Sequence, residues 1–209
     1  LTGTALIRTG LEPAPVQPPQ PADVAPAAGT APTATPRPPG STRAGPRARA
    51  TSPAIPPLPR SAPKKISIPR IKVDARILPL GLNSDGTVQV PPLKQAQHAG
   101  WYKLGPSPGE IGNAVIVGHV DSAALGPAVF FKLGALKPGD RIEVTRADGK
   151  LARFVVETVR SYPKTAFPAE LVYGNAETAR LQVVTCGGTF DRKKRSYPNN
   201  IVVSASRIP

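Results

Sequence analysis

The chain has 209 residues, enough for one domain with a real core and an appended tail. Its formal net charge of +14 splits into +6 on residues 1–65 and +8 on the rest, so no dense basic block forms. With aromatics at 5% and no basic stripe interleaved with stacking side chains, nucleic acid is not an expected partner. One cysteine rules out an internal disulfide framework, and two histidines distant in sequence are a poor zinc ligand set, so neither metal nor other cofactor is expected.

Sixteen of the 28 prolines fall within residues 1–65. The apolar opening Leu1 to Ile7, followed by Arg8, reads as the trailing edge of an N-terminal membrane segment. From Leu11 to Pro63 the chain is Pro, Ala, Thr, Ser and Arg without apolar periodicity, the pattern of a disordered, polyproline-leaning spacer. Two regions are therefore expected: residues 1–63 as an extended linker behind a membrane anchor, and residues 64–209 as the folded, chemically active unit.

The folded region opens with Ile66, Ile68, Ile71 and Val73 alternating around Pro69, a strand broken by a proline step. Asp74 to Leu80 continues as a second strand, Asn83 to Gly86 is a turn, and Thr87 to Val90 alternates again before Pro91 and Pro92. Ala114 to Gly118 is an apolar run, and Arg141 to Arg146 and Ala152 to Val159 flank Asp148-Gly149 as a hairpin. Leu181 to Thr185 and Ile201 to Ser206 supply the last strands, with short helical stretches expected near Phe130 to Leu136 and Pro168 to Tyr173. About eight short strands with turns between them predict a closed or nearly closed β-barrel.

Two of these strands end on reactive side chains. Leu181 to Thr185 runs into Cys186, the sole cysteine, followed by Gly187 and Gly188, and Ala114 to Gly118 runs into His119. Cysteine with histidine is the minimal pair for thiolate nucleophilic catalysis, whereas most free cysteines are small buried hydrophobes. His98, ahead of Trp101, reads as a structural or surface histidine.

The stretches Val117-Gly-His-Val-Asp-Ser122 and Val184-Thr-Cys-Gly-Gly188, each after an apolar strand, together with the spacing between them, resemble those of the sortases, cysteine transpeptidases of Gram-positive cell walls. The resemblance covers roughly residues 64 to 209. Gly126-Pro-Ala-Val-Phe130 and Cys186-Gly-Gly-Thr-Phe-Asp191 look most like the actinobacterial class F enzymes. It implies a mainly β fold, a closed eight-stranded barrel with one or two short helices. In several sortase classes the catalytic arginine stands immediately before the final strand, where this chain has Asn200. The preceding loop offers Arg192 and Arg195 instead, with Arg192 preferred because Phe190-Asp191-Arg192 resembles the class F loop.

What the resemblance implies is cleavage of an LPXTG-type sorting signal between Thr and Gly. Cys186 would form the thioacyl enzyme, His119 would move the protons, an arginine would stabilise the oxyanion, and a peptidoglycan-precursor amine would accept the acyl group. Thr185, Val120, Phe167 and Tyr173 are the expected substrate-binding residues. The implied location is the extracellular face of the membrane, tethered by the N-terminal segment. Two other readings are an L,D-transpeptidase, disfavoured because Val183-Val-Thr185 rather than a His-Gly pair precedes the cysteine, and a non-catalytic wall-binding β module with Cys186 merely buried.

Overall fold

The computed structural model describes residues 17–24 and 55–209. In chain order its strands are β1 (Asp23–Val24), β2 (Pro63–Ile68), β3 (Val73–Leu80), β4 (Ala99–Tyr102), β5 (Gly112–Val117), β6 (Asp121–Ser122), β7 (Gly126–Pro127), β8 (Arg141–Arg146), β9 (Leu151–Pro163), β10 (Ala179–Gly187) and β11 (Asn199–Ile208). One helix, α1 (Ala169–Tyr173), precedes β10.

The main sheet runs β1-β9-β11-β10-β5-β4-β3-β2-β8, and β8 also pairs with β9. Eight strands thus close on themselves, leaving no free edge in the ring, and β1 joins β9 in parallel outside it. The expected closed barrel with a short helix is what the chain forms. Because β5 pairs with β10 in parallel and β10 with β11 in antiparallel, β10 lies in mid-sheet, which explains its near-continuous apolar sequence.

Strand alternation sorts these side chains onto two faces. Ala114, Ile116, Leu181, Val183, Ile201 and Val203 point into the barrel core with Ile66, Phe130 and Phe154. Val115, Val117, Val184 and Val202 point outward and are covered by Val172 of α1, with Tyr102, Tyr162 and Phe167 against them. A buried polar chain ties the layers: Ser204 Oγ donates to Gln182 Oε1 (2.6 Å), Gln182 Nε2 to Asn113 Oδ1 (3.1 Å), and Asn113 Nδ2 to Gly174 O (2.9 Å). Asn113 therefore secures α1 at the end of β5 remote from His119.

Several local expectations shift. The proline step is a 3-10 turn over Pro69–Ile71, and the hairpin around Asp148-Gly149 forms between β8 and β9 as expected. Thr87 to Val90 is not a strand; one bridge, Leu82 to Val88, is all it makes, because Pro91 and Pro92 end the run before a ladder can extend. The Phe130 to Leu136 region holds only a 3-10 turn, Leu133–Ala135, while α1 forms where a helix was expected. Strand β4 carried too few residues for its alternation to show.

Much of the expected spacer, and the apolar opening Leu1 to Ile7, lies outside the described residues. Its described parts pack on the barrel. Leu58 donates its N–H to Gly109 O (2.9 Å) and packs against the core, and Arg60 lies over the Trp101 ring at 5.4 Å. Arg146, whose side chain is fully buried, donates to Pro59 O and Pro108 O and pairs with Asp148 at 3.0 Å.

Candidate active site

The ladder between β5 and β10 sets the site. Its register pairs Val117 with Val184, and two further bonds extend it past the end of β5: Gly118 N–H to Val184 O (3.1 Å) and Thr185 Oγ1 to Gly118 O (2.8 Å). The strand pairing ends there: His119 stands two residues past the end of β5, and Cys186 two residues past Val184 on β10. Across the other edge of β10, Cys186 pairs with Asn200.

Val117 and Val184 face outward, and the alternation continues that face to Cys186. There a groove of about 650 Å³ opens, lined by Tyr102, Val117, Thr185, Cys186, Asn200, Phe167 and Tyr173 among others. Tyr173 meets Tyr102 edge-on at 5.9 Å and Phe167 at 6.2 Å, forming an aromatic wall. Burial, and then the neighbouring Tyr102, push the Tyr173 hydroxyl above its ordinary range. The groove is apolar with a few polar groups near the thiol, which suits an extended peptide. Cys186 itself is half-buried and unpaired.

His119 is held by a contact of 2.6 Å from Nε2 to Pro91 O. A carbonyl only accepts, so Nε2 carries the proton and the lone pair of the neutral ring lies on Nδ1. Its carbonyl accepts from Phe130 N–H (3.0 Å), fixing the strand exit from the core side.

Of the residues expected to act, Cys186, Thr185, Phe167 and Tyr173 line this one groove. Val120 instead is buried behind the thiol, in a cluster with Phe131 and Tyr197 against which Cys186 packs. Arg192 and Arg195 line a second cavity on that same side. Their loop is closed by reciprocal backbone bonds between Asp191 and Ser196 (2.9 and 3.3 Å), and Asp191 Oδ1 accepts from Lys193 and Lys194 N–H. Within it Arg195 takes a left-handed φ of 50°.

The sortase domain family matches residues 66–208, all of the barrel but the first three residues of β2, and both strand exits. The chain belongs to the sortase family. Solved sortases share its fold: sortase A from Corynebacterium diphtheriae aligns at a TM-score of 0.53 and 20% identity, over 72% of this chain and 62% of that one. Sortase C-1 from Actinomyces oris aligns at 0.53 and 19%, over 69% and 73%. A Clostridium perfringens sortase D5 transpeptidase aligns at 0.53 and 21%, over 71% and 79%. No match to a curated protein was found.

Sequence reasoning passed over three features around the candidate site: the Pro91 carbonyl on His119, the Tyr102 wall, and Tyr197 with its partner Asp121. Tyr197 was detectable as one of two aromatics, with Phe190, that flank the Lys/Arg run 192–195, and Asp121 stands two residues after the histidine. Thr185 is 3% exposed, and its hydroxyl clamps the two strand exits together. Thr185→Val removes that bond at nearly constant volume and is expected to cost about 1–2 kcal/mol. Urea unfolding reads the loss; the clamp also holds the strand end that carries Cys186, the candidate nucleophile, so any turnover is expected to fall with it.

Proposed function

We propose that this sortase is a cysteine transpeptidase of the class F type. It cleaves an LPXTG-type sorting signal between Thr and Gly and passes the acyl group to a cell-wall amine. What carries the reading is the register that delivers a half-buried thiol and a histidine at adjacent strand exits, with an apolar groove on the thiol's outer side. The Cys186 thiolate attacks the threonine carbonyl carbon, the C–N bond breaks, and His119 protonates the departing amine. The thioacyl enzyme then meets the acceptor amine, whose proton returns to His119 as the C–S bond breaks. In this reading the protein works at the outer membrane face, held there by a segment N-terminal to the barrel.

A loop arginine supplies hydrogen bonds to the developing oxyanion, a role the planar guanidinium fills better than lysine. Arg192 and Arg195 are the two carriers, and loss of the one that donates is expected to lower kcat/KM by about a hundredfold. Single alanine variants of each, assayed on the same peptide, identify it; two near-normal variants would remove both from the mechanism. The reading as a whole is tested by intact mass after incubation with an LPXTG peptide. A mass gain matching the acyl fragment supports it, and no adduct across a panel of sorting peptides overturns it.

A further inference from the structure

The antiparallel ladder between β10 and β11 places one residue directly opposite the thiol. Cys186 pairs with Asn200, and Asn200 pairs in turn with Tyr162 of β9. Opposed residues project to the same face of a sheet, with Cβ atoms about 4.5–5.5 Å apart. Here that face is the outer one: Val184 and Val202, the next opposed pair on the same side, lie in the outward cluster, whereas Ile201 and Val203 point into the core. Cys186 and Asn200 accordingly line one groove.

Asn200 is also the amide that the fold leaves uncommitted. Its neighbour Asn199 faces the other way and donates through Nδ2 to Ser161 Oγ at 3.0 Å. The buried amides of Gln182 and Asn113 are bonded to each other and to Gly174. Among the described residues the half-buried Asn200 side chain makes no hydrogen bond. Other donors in the groove lining are engaged: Thr185 Oγ1 donates to Gly118 O, and Lys164 Nζ to Ser196 Oγ at 3.3 Å. Arg192 and Arg195 line the other cavity, with Phe131 and Tyr197 in its wall. A partly buried N–H without a partner is a cost that a bound acceptor removes.

We infer that Asn200 is a catalytic residue whose Nδ2–H donates, from the groove side, to the carbonyl oxygen of the acyl group that Cys186 attacks. This rests on the transpeptidase reading. As Sγ bonds to the threonine carbonyl carbon, the C=O π pair moves onto oxygen, and the amide's hydrogen bond strengthens with the growing negative charge. When the oxyanion collapses, that pair reforms C=O and the C–N bond breaks, the amine leaving with a proton from His119. The same donor serves again as the acceptor amine adds to the thioester. No proton passes through Asn200, because a side-chain amide only donates and accepts hydrogen bonds. Its strand is paired on both sides, with β10 and β9, so the donor is in place before substrate arrives. An oxyanion accepts more than one bond, and this donor complements a loop arginine without replacing it.

The test is the single-turnover rate of thioacyl formation from an LPXTG peptide, read by intact mass in the full chain, beside the rate of Cys186 alkylation by iodoacetamide. Asn200→Ala is expected to slow acylation by about a hundredfold, the effect of losing one oxyanion donor. Asn200→Leu, which keeps the side-chain volume, is expected to do the same. Alkylation displaces iodide at a saturated carbon and builds no oxyanion, so its rate should be unchanged in both variants. Asn199→Ala loses the bond to Ser161 on the opposite face, and is expected to lower Tm while leaving acylation per folded molecule unchanged. Acylation at the parent rate in both Asn200 variants overturns the assignment. A matching loss of alkylation also overturns it, making Asn200 a support for the thiol, as does an equal loss of acylation in Asn199→Ala. Absence of any thioacyl enzyme in the parent chain overturns the transpeptidase reading itself, a different failure from these.

Discussion

Cys186→Ala and His119→Ala are each expected to lower turnover of an LPXTG peptide by on the order of a thousandfold or more, and Cys186→Ala to abolish the thioacyl adduct altogether. The two losses differ in kind. Without the sulfur there is no electron pair to form the acyl bond, whereas without the imidazole the bond can form but the departing amine lacks its proton. His119→Ala should therefore depress the rate of adduct formation without removing the adduct. The double variant should be no worse than Cys186→Ala alone, because groups that act as a unit are strongly non-additive. Cys186 is half-buried at a strand end, so its replacement by alanine leaves the barrel packing nearly intact, and circular dichroism should show the parent fold. Residual adduct in Cys186→Ala would place the nucleophile elsewhere.

Phe130→Ala is expected to destabilise the protein by about 3–5 kcal/mol, the range for emptying a fully buried aromatic site. Its ring is 0% exposed and packs so closely on the strand exit that a Cβ at Gly118 would come within 2.5 Å of it. Its N–H also holds the His119 carbonyl. For a folded unit of this size such a loss corresponds to a fall in Tm on the order of 10 °C or more. Calorimetry measures it directly. Activity is expected to fall further than the folded fraction, since the cavity lies directly under the residue preceding the histidine. A variant that melts 10 °C lower yet turns over normally per folded molecule would show that Phe130 supports the core and not the site.

The barrel was legible because its strands are short, alternating and punctuated by Pro, Gly and Asp-Gly. The apolar runs before His119 and Cys186 read correctly as buried strands, and what made them informative is that each ends on a side chain able to do chemistry. Strand β4 was not legible: four residues are too few for a period to appear, and its place between β3 and β5 is decided by partners distant in the chain. Thr87 to Val90 shows the converse, an alternation with no strand edge on which to extend.

The site divides in the same way. By itself the sequence determined which residues can act: a lone thiol, a histidine at a matching strand exit, a basic loop behind them, and the motifs that mark the sortase domain. Tertiary structure alone decided how they are shared out. Register across β5 and β10 aligned the two strands that lead to the histidine and the cysteine, and strand alternation sent Val117, Val184 and Cys186 to the outer face while Val120 was buried behind the thiol. The folded barrel brought Asp121 to Tyr197 across 76 positions, and the segment laid against its outside brought Gln20 to Gly188 across 168. Contacts of that range leave no periodic trace in a sequence, because they are fixed by how strands pair and where loops fold back, not by the spacing of the residues that make them.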